Sequence, residues 1–475
     1  MRTARLIALA CATALAGCSL APKYAPPQVA PAAVYKESGP WQPAATAQLP
    51  AGHWWEAFGD TTLNGLEARI EADNPSLAAA TARYAQARGL LRQQGAALVP
   101  EVDVGGAGER ARVSANRPLT TGLPATYNEA TLGASLSYEI DLFGRVRNSI
   151  AAASDEAQAS AADVAAIRLG LQAQLASTYF RMRGLDARTT LLRQTVEAYQ
   201  RAFDLTDTRH TGGIASGIDV SRAQSQLSSA KAELSSVAAD RANAEHAIAV
   251  LIGANPSGFA LAANDGQVQP PVIPAGVPSA LLERRPDIAA AERRVAGANA
   301  KIGVARAALY PSITLGGSAG YQSTTSSILS AASGYWALGP LTAAMAVFDG
   351  GRRVAGVHIA RAQYDEIAAD YRSTVLTAFR EVEDDLALAH YLAQQERDQQ
   401  DATTSAERTR DLALTRYRDG ASDYLDVVTA QTAALDAERS LLDLRTRRMQ
   451  TAADIVRAVG GSPDEKPIAT TLTGR

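Results

Sequence analysis

The stretch Ala130-Thr131-Leu132-Gly133-Ala134-Ser135-Leu136-Ser137-Tyr138-Glu139-Ile140-Asp141-Leu142 decides the fold. Leu132, Ala134, Leu136, Tyr138, Ile140 and Leu142 share one side of an extended chain, and Thr131, Ser135, Ser137, Glu139 and Asp141 share the other. A period of two marks a β-strand with one apolar and one polar face. Ser312 to Gln322 repeats the pattern, and Glu101 to Val113 and Trp336 to Phe348 read as weaker partners, giving one hairpin over about 101–142 and another over about 312–348. The commonest setting for such strands is a small antiparallel sheet with one face on a helical core. Their length also suits an outer membrane, and aromatics cluster at both ends: Phe143, Tyr310 and Phe348 at one, Tyr321, Tyr335 and Trp336 at the other. Four strands cannot close a barrel, and an open edge cannot face lipid. A spanning role therefore needs several copies: two would give eight strands, three would give twelve.

Around these strands the chain is helical and duplicated. About a fifth of its 475 residues are Ala, the best helix former and a poor filler of volume, so the helices must pack closely. The turn Gly213-Ile214-Ala215-Ser216-Gly217-Ile218-Asp219 reappears as Gly420-Ala421-Ser422-Asp423-Tyr424-Leu425-Asp426, 207 positions on, and Arg209 and Arg145 match Arg416 and Arg352 at the same offset. Each half predicts a first helix (Leu63 to Leu98; Ala280 to Leu309), then a hairpin, then a stretch of about 67 residues without Pro (Arg145 to Thr211; Arg352 to Asp419). A Gly turn and a returning helix follow (Ser216 to Ile252; Asp423 to Val459). A helix of that length runs roughly 100 Å and must pack lengthwise against others. The resulting division is 61–260 for the first repeat, 261–279 for a linker, 280–460 for the second repeat and 461–475 for a tail.

The N-terminus looks exported. Arg2 and Arg5 precede an apolar run from Leu6 to Leu15, too short to cross a bilayer, and Leu15-Ala16-Gly17-Cys18 resembles the lipobox of bacterial lipoproteins. That resemblance implies a signal peptide over 1–17, a lipid on Cys18 and, with Ser19 next, sorting to the outer membrane. Residues 18–60 are Pro-rich and read as an extended tether.

Further stretches carry a family resemblance. They are Trp54-Trp55 with Phe58, Asp60 and Leu63; Asn74-Pro75; Asp141-Leu142-Phe143-Gly144-Arg145; Leu251-Ile252-Gly253; Leu281-Leu282-Glu283-Arg284-Arg285-Pro286-Asp287-Ile288; Phe348-Asp349-Gly350-Gly351-Arg352; and Arg416-Tyr417-Arg418-Asp419-Gly420. The chain resembles the outer-membrane factors, the TolC-like exit ducts of tripartite efflux pumps, in their lipoprotein branch. The resemblance implies a mainly α protein with a small membrane β part. It implies a homotrimer combining an α-helical barrel with a twelve-stranded transmembrane β-barrel, four strands from each subunit. A periplasmic adaptor and an inner-membrane transporter would be its partners.

Candidate site residues follow. Ser216 with Asp219, and Asp423 with Asp426, fit capping boxes behind Gly213 and Gly420, which fit left-handed helix ends. The resemblance makes these hairpin tips, with Ala215, Ala421 and Ser422, the adaptor-docking surface. It makes Arg416, Tyr417 and Arg418 a lock on the periplasmic end, with Asp204, Asp207 and Asp219 as candidate partners. Leu425 and Thr429 match pore-narrowing positions. Relatives commonly carry Asp at the second, so Thr429 puts a carboxylate ring in doubt, and Asp426 is taken up by capping. Glu101, Asp103, Glu139 and Asp141 on the polar strand faces would make an acidic lumen favouring cations.

Other classes are disfavoured. Lys+Arg 46 against Asp+Glu 49 and 5% aromatics leave neither a basic surface nor stacking platforms for nucleic acid. His53, His210, His246, His358 and His390 show no metal-ligand spacing, and Gly105-Gly106-Ala107-Gly108 lacks the strand–helix context of a nucleotide loop. No cofactor, metal or enzyme activity is expected, only the covalent lipid. Two rivals remain: the same duct serving type I protein secretion, and a coiled-coil periplasmic spacer, which would need no amphipathic strands.

Overall fold

The computed structural model describes residues 19–30, 34–38, 52–116, 125–266, 269–271, 284–323 and 334–461. Cys18 and the signal peptide lie outside them, as do the linker residues 272–283. The described elements are α1 (Thr61–Asp73), α2 (Pro75–Ala96), β1 (Glu101–Val113), β2 (Ala125–Glu139), α3 (Arg145–Thr211), α4 (Gly217–Leu251), α5 (Pro286–Ala307), β3 (Ser312–Ser323), β4 (Gly334–Ala344), α6 (Arg352–Arg418) and α7 (Tyr424–Ala458). From α2 onward the second half repeats the order of the first, including two continuous helices of 67 residues and two of 35. Among the described residues no helix is long and apolar enough to cross a membrane.

Three boundaries differ from the sequence expectation. The first helix of the first half is two helices, because Asn74 is extended and Pro75 cannot donate to the preceding turn. Asn74 ends α1 and starts α2, its Oδ1 accepting from the Leu77 amide at 2.9 Å. Strand β2 stops at Glu139, so Asp141 lies beyond the sheet, and β4 runs from Gly334 to Ala344 rather than to Phe348.

The chain divides into two compact units. One holds residues 83–160 and 291–372 with the N-terminal segment. Its sheet is antiparallel in the order β1-β2-β3-β4. Register puts Val102 opposite Leu136, Leu132 opposite Tyr321, Tyr138 opposite Leu315, and Leu315 opposite Leu341. These residues therefore share one apolar face. Asp103 opposite Ser135, Thr131 opposite Gln322 and Thr314 opposite Thr342 share the polar one. β1 and β4 are edge strands, and Pro340, which has no N–H to donate, sits in one of them.

The described start of the Pro-rich segment is bound rather than free. Ser19 donates to Asn148 at 2.9 Å, while the carbonyls of Leu20 and Pro22 accept from Arg306 at 3.1 Å and Asn299 at 2.9 Å. The Tyr24 hydroxyl donates to Glu292. Residues 19–24 thus form a strap along α5. Gly303 permits it, since a Cβ there would stand 2.8 Å from the Cβ of Ala21.

The second unit holds residues 29–82, 161–290 and 373–475. Trp54, Leu63, Ile70, Leu175, Tyr179, Met182 and Ile248 are buried at its centre, and Phe58 meets Phe180 at 4.8 Å between ring centroids. Ala173 and Ala176 of α3 and Ala434 and Ala453 of α7 are buried. The helices approach closely enough that a Cβ on Gly184 of α3 would lie 2.1 Å from Oγ1 of Thr446 on α7.

Two of the family-like motifs, Asn74-Pro75 and Arg285-Pro286, occupy joints of this unit. Asn74 donates to the Leu251 carbonyl at 2.6 Å, at the end of α4. In the second half Arg285 does the same to Ala458 at 3.0 Å, at the end of α7. Asn74 and Arg285 both precede a Pro that opens a helix, and Leu251 and Ala458 are 207 positions apart. The duplication is therefore kept in a hydrogen bond, although different side chains make it.

Candidate functional site

The two hairpin tips close in the same way. Gly213 and Gly420 take φ of 76° and 77°, the left-handed region that glycine enters without a Cβ penalty. The next amide then reaches back to the helix, Ile214 to the Arg209 carbonyl and Ala421 to the Arg416 carbonyl, each at 2.8 Å. Ser216 and Asp219 form the expected capping box: the Asp219 amide donates to the Ser216 hydroxyl, and the Ser216 amide and hydroxyl donate to the Asp219 carboxylate. The expected second box is absent. Asp423 occupies the N-cap position but its side chain makes no capping bond. Aspartate has no hydroxyl to donate to a second carboxylate, so pairing it with Asp426 would set two like charges together. Asp426 is therefore exposed and not taken up by capping.

Side chains at the tips divide into buried and presented groups. Tyr417 is buried with Ala223, Tyr424 and Val427, its ring 5.2 Å from that of Tyr424. Burial pushes the Tyr424 phenol up to about 12. Tyr417 is thus an internal anchor rather than part of a surface lock. Arg416 and Arg418 are exposed, and Arg416 reaches only the carbonyl of Ala421, at 3.4 Å, within its own tip. Among the described residues neither pairs with Asp204, Asp207 or Asp219. Asp204 accepts from Gln200, and Asp219 is engaged by Ser216.

The arginine that ties the two hairpins together is Arg209, which the site assignment from sequence passed over. Its Nη1 and Nη2 donate to the carbonyls of Tyr417 and Arg418 at 2.8 and 2.7 Å. The signal was the repeat itself, which matches Arg209 to Arg416. Leu425 and Thr429 are exposed on the face of α7 away from the Tyr417 cluster, and Thr429 donates to the Leu425 carbonyl. Ile214 and Ile218 stand 79% and 64% exposed at the first tip, an apolar surface between polar residues. Ala215 and Ser422 are half-buried beside it and Ala421 is exposed.

In the sheet, Glu101 and Asp103 are exposed on the polar face opposite Ser137 and Ser135. The other two acids of the expected acidic zone are neutralised. Glu139 is held by the Arg145 guanidinium, one contact being 2.7 Å. Asp141 accepts from the amides of Val146 and Arg147 at 3.0 and 2.9 Å and pairs with the Arg147 side chain. Burial alone would raise the Asp141 carboxyl, but these donors outweigh it and hold it below the usual carboxylate range. Its carboxylate thus caps the start of α3. The apolar face is open, with Val104, Trp336 and Leu338 each more than three-quarters exposed. At one end Phe143 stacks on Tyr310 at 4.8 Å.

Known proteins share this architecture. OprJ, an outer membrane protein of Pseudomonas aeruginosa, is 34% identical over 471 residues, covering 96% of each chain. The probable efflux pump outer membrane protein TtgC of Pseudomonas putida is 33% identical, covering 94% of this chain and 93% of its own. The solved structure of the Campylobacter jejuni CmeC outer membrane channel superposes with a TM-score of 0.86 at 25% identity, covering 94% of this chain and 96% of that one. Fold and surfaces together define a subunit of an outer-membrane efflux channel. The chain belongs to the outer membrane efflux protein family, whose model matches residues 68–254 and 277–461, one match in each half.

Proposed function

We propose that three copies of this chain form the exit duct of a tripartite efflux pump. The duct passively conducts small molecules outward once a periplasmic adaptor and an inner-membrane transporter have docked. The observation that carries this reading is the four-stranded sheet, with one apolar face, one polar face and two unpaired edges. Such a sheet is unstable alone in lipid, and joining β1 of one copy to β4 of the next closes a barrel without exposing backbone. Three copies give twelve strands and a lumen lined by the polar face.

In this reading the apolar Ile214 and Ile218 tip, with Gly213, Ala215, Ser216, Asp219, Gly420, Ala421, Ser422 and Asp426, meets the adaptor. The exposed Arg416 and Arg418 reach a neighbouring subunit and hold the duct shut, with Tyr417 positioning them. Leu425 and Thr429 narrow the pore. Glu101 and Asp103, without Glu139 and Asp141, supply its acidic character. A lipid on Cys18, next to the strap from Ser19 to Tyr24, anchors the N-terminus, and the duct itself catalyses no reaction. Relatives named as efflux components favour small-molecule export over protein secretion. Single-channel recording of the purified oligomer tests the reading: discrete conductance steps with weak cation preference are expected. No conductance from a folded, heat-modifiable oligomer would overturn it.

A further inference from the structure

We propose that a pocket walled by Glu67 and Asn64 of α1 binds an organic primary ammonium ion. The buried stripe of α1 is Leu63, Leu66, Glu67 and Ile70, so a carboxyl stands where the helical spacing calls for an apolar side chain. Glu67 is fully buried, at 0% exposure, and neither of its oxygens has a hydrogen-bond partner among the described residues. The Oδ1 of Asn64, one turn earlier on the same face, is also buried without a partner. Three buried oxygens on one face of α1 therefore have no hydrogen-bond partner among the described residues, an arrangement that folded proteins avoid unless something else supplies a donor.

The adjoining pocket is about 500 Å³, too large for a single ion. Trp55 contributes an aromatic wall. The other charged groups around it are engaged with each other. Arg168 pairs with Glu71 at 2.6 Å and His53 faces Glu56 at 3.4 Å. Burial alone pushes the Glu67 carboxyl up to about 9, so the empty site holds a proton. Among the described residues no cluster of His, Cys, Asp or Glu could hold a metal ion. A primary ammonium has three N–H donors for the three acceptors, and a short alkyl stem suits the indole wall. On binding, the Glu67 proton leaves to solvent, and the ammonium keeps all of its own protons beside the new carboxylate.

This site lies in the helical unit and does not rest on the duct reading. The test is calorimetric titration of the full-length protein in detergent at pH 8 with n-propylammonium chloride, repeated in buffers of different ionisation heat. Expected are saturable binding at one site per chain and release of nearly one proton. Glu67→Gln should weaken binding by about tenfold or more, and Asn64→Leu should weaken it less. Glu67→Gln replaces the protonated carboxyl by a neutral amide of the same shape, and its fold is checked by an unchanged heat-modifiable oligomer. Tetramethylammonium, which has no N–H, and Mg²⁺ should each bind at least about tenfold more weakly. Equal binding by Glu67→Gln, saturation without proton release, equal binding of Mg²⁺, or no saturation would each overturn the proposal.

Discussion

Arg209 holds Tyr417 in two ways: its guanidinium lies 4.7 Å from the ring centroid, and its Nη1 donates to the Tyr417 carbonyl at 2.8 Å. The contact joins the end of α3 to the end of α6, so the two hairpins of one subunit are tied before any neighbour is considered. Arg209→Ala removes two charge-assisted hydrogen bonds and the ring contact, a loss of about 2–3 kcal/mol at that joint. The expected outcome is larger and longer-lived openings in single-channel records, from subunits whose tips separate. Arg416→Ser with Arg418→Ser should also raise leak while leaving the melting of the subunit itself unchanged. An unaltered conductance in the double variant would remove Arg416 and Arg418 from the gate.

Tip surfaces are testable apart from the gate. Replacing Ala215, Ser216 or Ala421 by Trp adds bulk where backbone geometry is already set by Gly213 and Gly420. The oligomer should form normally, while drug resistance in a strain lacking its own duct is lost. Retained resistance would mean that docking uses another surface.

Two glycines with the same backbone conformation should respond very differently to a methyl group. Gly213 and Gly253 have φ of 76° and 68°. A Cβ on Gly213 meets nothing within 4 Å, so Gly213→Ala costs only the left-handed penalty, about 1–2 kcal/mol. A Cβ on Gly253 would lie 2.1 Å from the Asp73 carbonyl oxygen, in the joint where Asn74 meets Leu251. Gly253→Ala should therefore abolish the folded oligomer, read as loss of the heat-modifiable band.

Asp141 and Glu67 give opposite pH dependences. The folded pKa of Asp141 is depressed, so its stabilisation is present above the ordinary carboxylate value and lost as pH falls through the folded one. Asp141→Asn should lower the melting temperature at pH 7 and converge with the parent as pH falls below the folded value. Glu67 is the reverse. Its folded pKa of about 9 means the folded state keeps a proton that the unfolded chain has lost, so stability falls as pH rises from about 4.5 to 9. Glu67→Gln should be more stable at pH 7, by roughly 3 kcal/mol at most, with the difference shrinking towards pH 4.5.

Period and repeat made much of this protein legible in sequence. Alternation found the strands, and the 207-residue offset found both long helices and both tips to within a residue. What it missed was decided by side chains meeting across the fold. Asp141 continues the alternation in sequence, yet it turns to cap α3 because Gly144 lets the chain bend there, at φ 76°. Asp426 matches Asp219 by position, but the N-cap before it is Asp423 instead of Ser216, and a box there would set two carboxylates side by side. Arg209 looked like a copy of Arg416, and only the packed hairpins show that the two arginines reach in different directions.

The central claim is that the open edges of the sheet meet those of neighbouring copies in a ring of three. Cysteine pairs scanned along the same face of the edge strands, such as Val104→Cys with Leu338→Cys, test it when oxidised in intact outer membranes. The account predicts a ladder on denaturing gels that ends at a covalent trimer. A ladder ending at the dimer or running past the trimer, or a sheet that cross-links only within one chain, would contradict it.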